Sequence, residues 1–203
     1  MNLKKLFKTS GIVMTEALMA VTLMASAVII TGSIIESTVS TTKQTRDYAI
    51  AQNLSDEAIS GVENIINSNK ILYPNTPDCW LVYNIDECRP DTNTPDTISN
   101  YVVSLERGRW ILENREKLAL DLNIDSENNE EFRLFKQMKK LSEEDFPMYT
   151  HDNATKNEPS VYYRSVKFNE IETDSVSFTV TVQWKDRSIV RSIVDNVTLY
   201  KNY

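Results

Sequence analysis

The sequence predicts an α+β chain: a long N-terminal α-helix, transmembrane in its first half, packed against a C-terminal antiparallel β-sheet. Three observations carry this. Residues 12–35 form an apolar run whose only charge is Glu16. Beyond it, Tyr48, Ala51, Leu54, Ala58, Val62 and Ile65 recur at three- and four-residue spacing, with no proline before Pro74. Near the C-terminus Val176, Phe178, Val180, Val182 and Trp184 alternate strictly with Ser177, Thr179, Thr181 and Gln183. The first spacing puts apolar groups on one face of a helix, and the strict alternation puts them on one face of a half-buried strand.

The apolar run is about 24 residues, which as a helix spans roughly 36 Å, enough to cross a bilayer. Lys4, Lys5 and Lys8 precede it. A positive leader stays on the cytoplasmic side and places everything after Ile35 outside. Glu16 is the anomaly. A carboxylate in the hydrocarbon costs roughly 2–4 kcal/mol or more, so an intramembrane acid reads as functional by default. The helical pattern continues past the membrane through polar residues 36–45, and one helix is expected from about residue 12 to about residue 68, about 85 Å long. Its outer half carries a single apolar stripe, which should seat the globular part.

Residues 73–97 read as loop, broken by Pro74, Pro77, Pro90 and Pro95. Residues 101–105 and 110–114 flank Glu106-Arg107-Gly108-Arg109, a hairpin signal with glycine in the turn. Residues 130–141 read as a short charged helix with Phe132, Phe135, Met138 and Leu141 inward. Residues 161–168 supply a strand, 169–174 a turn, and Lys185-Asp186-Arg187-Ser188 turns the alternating strand back into residues 189–200. The expected divisions are therefore 1–11 as leader, 12–35 as membrane helix, 36–68 as its amphipathic continuation, and 69–203 as an extracytoplasmic β-rich domain.

Composition narrows the function. The net charge of −7 is unfavourable for a nucleic-acid-binding surface. Four glycines in 203 residues leave no Gly-rich phosphate loop. The lone His151 cannot build the commonest zinc sites. No G-x-S-x-G is present to position a serine nucleophile. Asp121-Leu122-Asn123-Ile124-Asp125 begins like a calcium loop but then places Ser126 where the sharp turn needs Gly, and Phe132 where the bidentate Glu belongs. No catalytic, cofactor or metal residues are assigned, and an enzyme is not expected. The two cysteines, Cys79 and Cys88, lie beyond the apolar run on the extracytoplasmic side, where a disulfide is permitted, and they are expected to pair with each other rather than remain free thiols.

Three readings of the N-terminus compete. A plain signal-anchor accounts for the lysines and the length but not for Glu16. A secretory signal peptide finds Ala25-Ser26-Ala27 as a cleavage pattern, yet the apolar run continues through Ile35. The third cuts the chain after Gly11. Glu16 then becomes the fifth residue of the mature protein, and the freed α-amino group of Ile12 enters the membrane as a cation able to pair with the Glu16 of a neighbouring copy.

Ser10-Gly11-Ile12-Val13-Met14-Thr15-Glu16-Ala17-Leu18-Met19-Ala20-Val21 resembles the cleavage and methylation signal of type IV prepilins and type II secretion pseudopilins. Ile12 stands where the family usually has Phe, and Thr15 where it has an aliphatic residue. The run from Ala51 to Ile65, Ala51-Gln52-Asn53-Leu54-Ser55-Asp56-Glu57-Ala58-Ile59-Ser60-Gly61-Val62-Glu63-Asn64-Ile65, is similar to a stretch of minor pilins of the PilV type. Tyr149-Thr150-His151, Tyr162-Tyr163-Arg164-Ser165-Val166 and Val180-Thr181-Val182-Gln183-Trp184 are similar to the tail of those proteins. Major pilins often carry a kinking proline about twenty residues past the cut, where this chain has Gly32 and Ser33.

The resemblance implies a pilin-like fold and a structural role. Gly11 and Ile12 are the processing residues, cut by a prepilin peptidase and methylated on Ile12. Glu16 and Ile12 are the assembly residues. The partners are other pilin subunits, the inner-membrane assembly platform and the lipid bilayer, with no nucleic acid and no cofactor. The chain would sit in the cytoplasmic membrane before assembly and in an extracellular pilus or pseudopilus after it. A pseudopilin of a secretion or DNA-uptake machine is the alternative within the class. A membrane-tethered adhesive or ligand-binding domain that never assembles is the alternative outside it. The N-x-S/T patterns at Asn53, Asn153 and Asn196 are chance in this reading, because the family is prokaryotic.

Overall fold

The computed structural model describes residues 3–82, 88, 94–106, 108–115, 130–141, 144–151 and 157–201. The first element is α1, Leu3–Leu72. Nothing in its sequence interrupts the backbone ladder, since proline is absent throughout it. At its C-terminal end the Tyr73 N–H donates to the Asn69 carbonyl at 2.9 Å, and Pro74 then forbids another turn. Residues 1–47 and 48–203 form two separate compact units. Residues 48–72 of α1 belong to the second, together with all of the β structure.

Seven strands follow: β1 Asn100–Glu106, β2 Arg109–Asn114, β3 Arg133–Leu141, β4 Glu144–Thr150, β5 Glu158–Ile171, β6 Ser175–Asp186 and β7 Ile189–Tyr200. They make one antiparallel sheet centred on β5. Along one edge β5 pairs with β6 from Tyr162↔Trp184 to Ile171↔Val176. Its other edge is shared by β3 (Arg133↔Tyr163) and β1 (Tyr101↔Val166). β2 and β4 continue from β1 and β3, and β7 continues from β6.

Both hairpins expected from the sequence form. Gly108, with φ 82°, occupies the left-handed position of the β1–β2 turn. Arg187 takes the same region, φ 59°, in the two-residue turn between β6 and β7. Such a turn matches the right-handed twist of the flanking strands at the cost of placing a Cβ where it crowds the backbone.

The core lies between one face of residues 51–66 of α1 and the inner face of the sheet. Ala51, Leu54, Ala58, Val62 and Ile65 are buried there, with Ile66 beside them. They meet Tyr101 and Val103 of β1, Val166 and Phe168 of β5, and Val176, Phe178, Val180, Val182 and Trp184 of β6. Tyr48, the first residue of the expected stripe, stays 55% exposed, its ring edge-on to Trp184 at 6.4 Å. Gly61 lets the β1–β2 hairpin approach the helix. A Cβ there would sit 2.5 Å from Val103 Cγ1 and 2.8 Å from Trp110 Cε3.

One expectation is overturned. The helix expected over residues 130–141 does not form: Glu131 and Phe132 are in a turn, and from Arg133 to Leu141 the chain is β3. Leu134 joins the core that faces the helix, whereas Phe132, in the turn just before the strand, is buried in a separate cluster with Val102 and Tyr163. The side chains of Met138 and Leu141 lie outside the described residues. The charged sequence has no strong preference of its own, so pairing with β5 on one side and β4 on the other decides its state.

The proline-rich stretch after α1 has a single 3-10 turn, Pro77–Cys79, among its described residues. It is better anchored than its composition suggests. Cys79, Trp80, Leu81 and Val82 are buried. Asn69 Nδ2 donates to the carbonyls of Trp80 and Val82 at 3.4 and 2.7 Å, and Lys201 Nζ lies 5.8 Å from the centre of the Trp80 ring. Cys79 and Cys88 form a disulfide, their Cα atoms 5.7 Å apart.

Candidate functional site

Gly11, Ile12 and Glu16 all lie on α1. The side chains before Met14 are outside the described residues, so what the structure adds at this site concerns Glu16 and its surroundings. Ile12 and Glu16 are four residues apart, about 6 Å along the axis and nearly on one face. A helical side chain leans toward the N-terminus, so the Glu16 carboxylate leans toward the turn that holds Ile12. Glu16 is exposed, and so are Met14, Leu18, Met19, Val21, Leu23 and Met24 around it.

An exposed apolar helix must find another solvent or another helix. This one is long and apolar enough to cross a membrane. Its hydroxyls are compatible with that, because they bond to the helix's own carbonyls. Thr22 Oγ1 donates to the Met19 carbonyl at 2.9 Å, Ser26 Oγ to Thr22 at 2.7 Å, Thr31 Oγ1 to Ala27 at 2.8 Å and Ser33 Oγ to Ile30 at 2.8 Å. A hydroxyl bonded this way asks for no partner in lipid. Glu16 has no such bond among the described residues. It is the one acidic or basic side chain in residues 14–35.

The second unit has a polar constellation of a different kind. Arg164 of β5 is 1% exposed. Its Nη1 donates to the Leu54 carbonyl at 3.1 Å, its Nη2 to the Val103 carbonyl at 2.7 Å, and Nη1 lies 3.4 Å from Glu57 Oε1. One guanidinium thus joins the helix, β1 and β5. Burial pulls its pKa below the ordinary arginine value, and the Glu57 carboxylate partly offsets this. Nearby on the helix, Ser55 Oγ donates to Asp195 Oδ2 of β7 at 2.6 Å, and Gln52 Nε2 reaches the same oxygen at 3.4 Å. These contacts fix how residues 48–72 sit on the sheet.

His151 follows β4, with both ring nitrogens buried and unbonded among the described residues. Burial is the main force holding its pKa well below 6.5. The charges of Arg164 and Arg115 act in the same direction, and the nearby Arg133 backbone acts against them. The imidazole is therefore a neutral packing group. Among the described residues no group of three His, Cys, Asp or Glu side chains is placed to hold a metal ion. The calcium-like stretch 121–125 lies outside the described residues.

Arg164, Glu57 and Gly61 were not singled out individually from the sequence. Only Gly61 left a local sign, a glycine on the apolar face of a helix where alanine would ordinarily serve better. Comparison of the chain with family models, with curated proteins and with solved structures finds no match.

Proposed function

We propose that the chain is a minor-pilin-like structural subunit of a type IV pilus or a related filament, cut after Gly11 and assembled through its N-terminal helix. The observation that carries this is Glu16, a lone carboxylate on an exposed apolar helix whose hydroxyls are already satisfied. Residues 12–35 would hold the subunit in the cytoplasmic membrane and later pack with other subunits' helices, with the β unit outside. Pairing of Glu16 with the N-terminal amine of the next subunit would remove two isolated charges at once. Such a pair contributes less to raw stability than to register, since one axial offset brings the two groups together. A simple tether has no use for the acid.

The test separates processing from assembly. N-terminal mass analysis of membrane-extracted protein should find a start at Ile12, with one added methyl group. Glu16→Gln should keep the membrane level and the cleavage of wild type, because a neutral residue enters the bilayer more readily. The same variant should be missing from sheared surface filaments. Normal incorporation of Glu16→Gln would remove the assembly role, and a start at Val28 or an uncut Met1 would remove the pilin reading altogether.

A further inference from the structure

The helix between the apolar run and the β unit is built from unusual material. Ser37-Thr38-Val39-Ser40-Thr41-Thr42 are six consecutive residues of low helix propensity, with Thr45 following. Residues 36–46 are exposed except for Ser40, which is partly covered, and none of them joins a buried cluster. Most helical stability in proteins comes from packing an apolar face, and this segment has none to pack.

The hydroxyls of its four threonines are committed to the backbone in two stripes. Thr38 Oγ1 donates to the Ile34 carbonyl at 2.8 Å and Thr42 Oγ1 to the Thr38 carbonyl at 2.8 Å. Thr41 Oγ1 donates to the Ser37 carbonyl and Thr45 Oγ1 to the Thr41 carbonyl, both at 2.9 Å. Each of those carbonyls is also an acceptor in the helix ladder. Water competes for such hydroxyls, and back-bonded serine and threonine slightly weaken a helix. Residues 51–66, in contrast, bury Ala51, Leu54, Ala58, Val62 and Ile65, and Arg164 holds the Leu54 carbonyl.

We propose that residues 37–45 form a joint in α1 that opens in water ahead of the helical turns on its C-terminal side. Opening converts about nine residues from a rise of about 1.5 Å each to as much as about 3.3 Å each, so this stretch of chain can lengthen by up to about 16 Å. The joint lets the length of chain between residues 36 and 46 change without unfolding the β unit, whose core it does not share. The inference does not depend on assembly into a filament. It requires only that the segment lie outside the bilayer.

The experiment is hydrogen exchange, read by mass spectrometry, on the full chain in phosphatidylcholine–phosphatidylglycerol nanodiscs. Rates are divided by the intrinsic rate of each peptide. Residues 37–45 should be protected at least tenfold less than residues 51–66. A variant carrying Ser37→Ala, Thr38→Ala, Ser40→Ala, Thr41→Ala, Thr42→Ala and Thr45→Ala should raise protection of this segment at least tenfold and leave residues 51–66 unchanged. Uniform protection from 37 to 66 in the native chain overturns the proposal. So does a failure of the alanine variant to raise it, because the weakness would then not come from these side chains.

Discussion

Replacing Gly61 by alanine sets two effects of opposite sign against each other. In a solvent-exposed helix the change would stabilise by about 1 kcal/mol, the difference in helix propensity. Here the new Cβ would lie 2.5 Å from Val103 Cγ1 and 2.8 Å from Trp110 Cε3, separations that real Cβ atoms essentially never show. Val103 is fully buried, and its β-branched side chain is stiff about χ1, so it cannot turn aside without moving β1. Trp110 is only partly buried and can give some way. Overpacking of this kind costs about 1–3 kcal/mol, and contact with two neighbours argues for the upper part of that range. The net expectation for Gly61→Ala is a loss of about 1–2 kcal/mol. For a unit of roughly 150 residues this lowers the unfolding midpoint by about 2–8 °C. Thermal unfolding of the full chain in detergent, followed by tryptophan fluorescence, measures it. Val103→Ala in the same chain should show favourable coupling with Gly61→Ala in a double-mutant cycle, because it removes the clashing methyl groups. A rise in midpoint for Gly61→Ala alone would mean that helix propensity wins, and the close approach of hairpin to helix would be refuted.

Arg164→Met should cost about 2–3 kcal/mol, since it removes charge-assisted hydrogen bonds to the carbonyls of Leu54 and Val103. Glu57→Gln should cost under about 1 kcal/mol, because the Glu57 side chain is 37% exposed; denaturant titration showing the reverse order would refute the clamp. His151 lowers stability in acid: the unfolded chain takes up its proton below about pH 6.5 while the folded imidazole, held neutral, does not. Stability is therefore full above that pH and falls as the pH drops through it, by up to about 1.4 kcal/mol per pH unit, and His151→Gln should flatten the slope between pH 7 and pH 5. Thiol labelling of denatured, unreduced protein should find no free thiol. The double variant Cys79→Ala with Cys88→Ala should lose about 2–3 kcal/mol of stability by equilibrium unfolding.

Features that rest on local periodicity were legible without coordinates. An uninterrupted apolar run, a three-and-four-residue stripe and a strict alternation each dictate which way consecutive side chains point, and that is a property of a few neighbouring residues. The long helix, the face formed by Ala51, Leu54, Ala58, Val62 and Ile65, and the hairpins around Gly108 and Arg187 follow from such patterns. The anomaly of Glu16 was legible for the same reason, because a lone acid stands out against its own segment. Residues 130–141 were not, because Phe132, Phe135 and Met138 at three-residue spacing imitate a helix face, and pairing with β5, more than twenty residues away, chooses the strand. Burial of Arg164 and the close approach at Gly61 depend on which strands flank β5 and how the β1–β2 hairpin crosses the helix. Those contacts join positions some 40 to 110 residues apart, so no local pattern announces them, and only the tertiary structure decides that this arginine is a buried clamp and this glycine a point of contact.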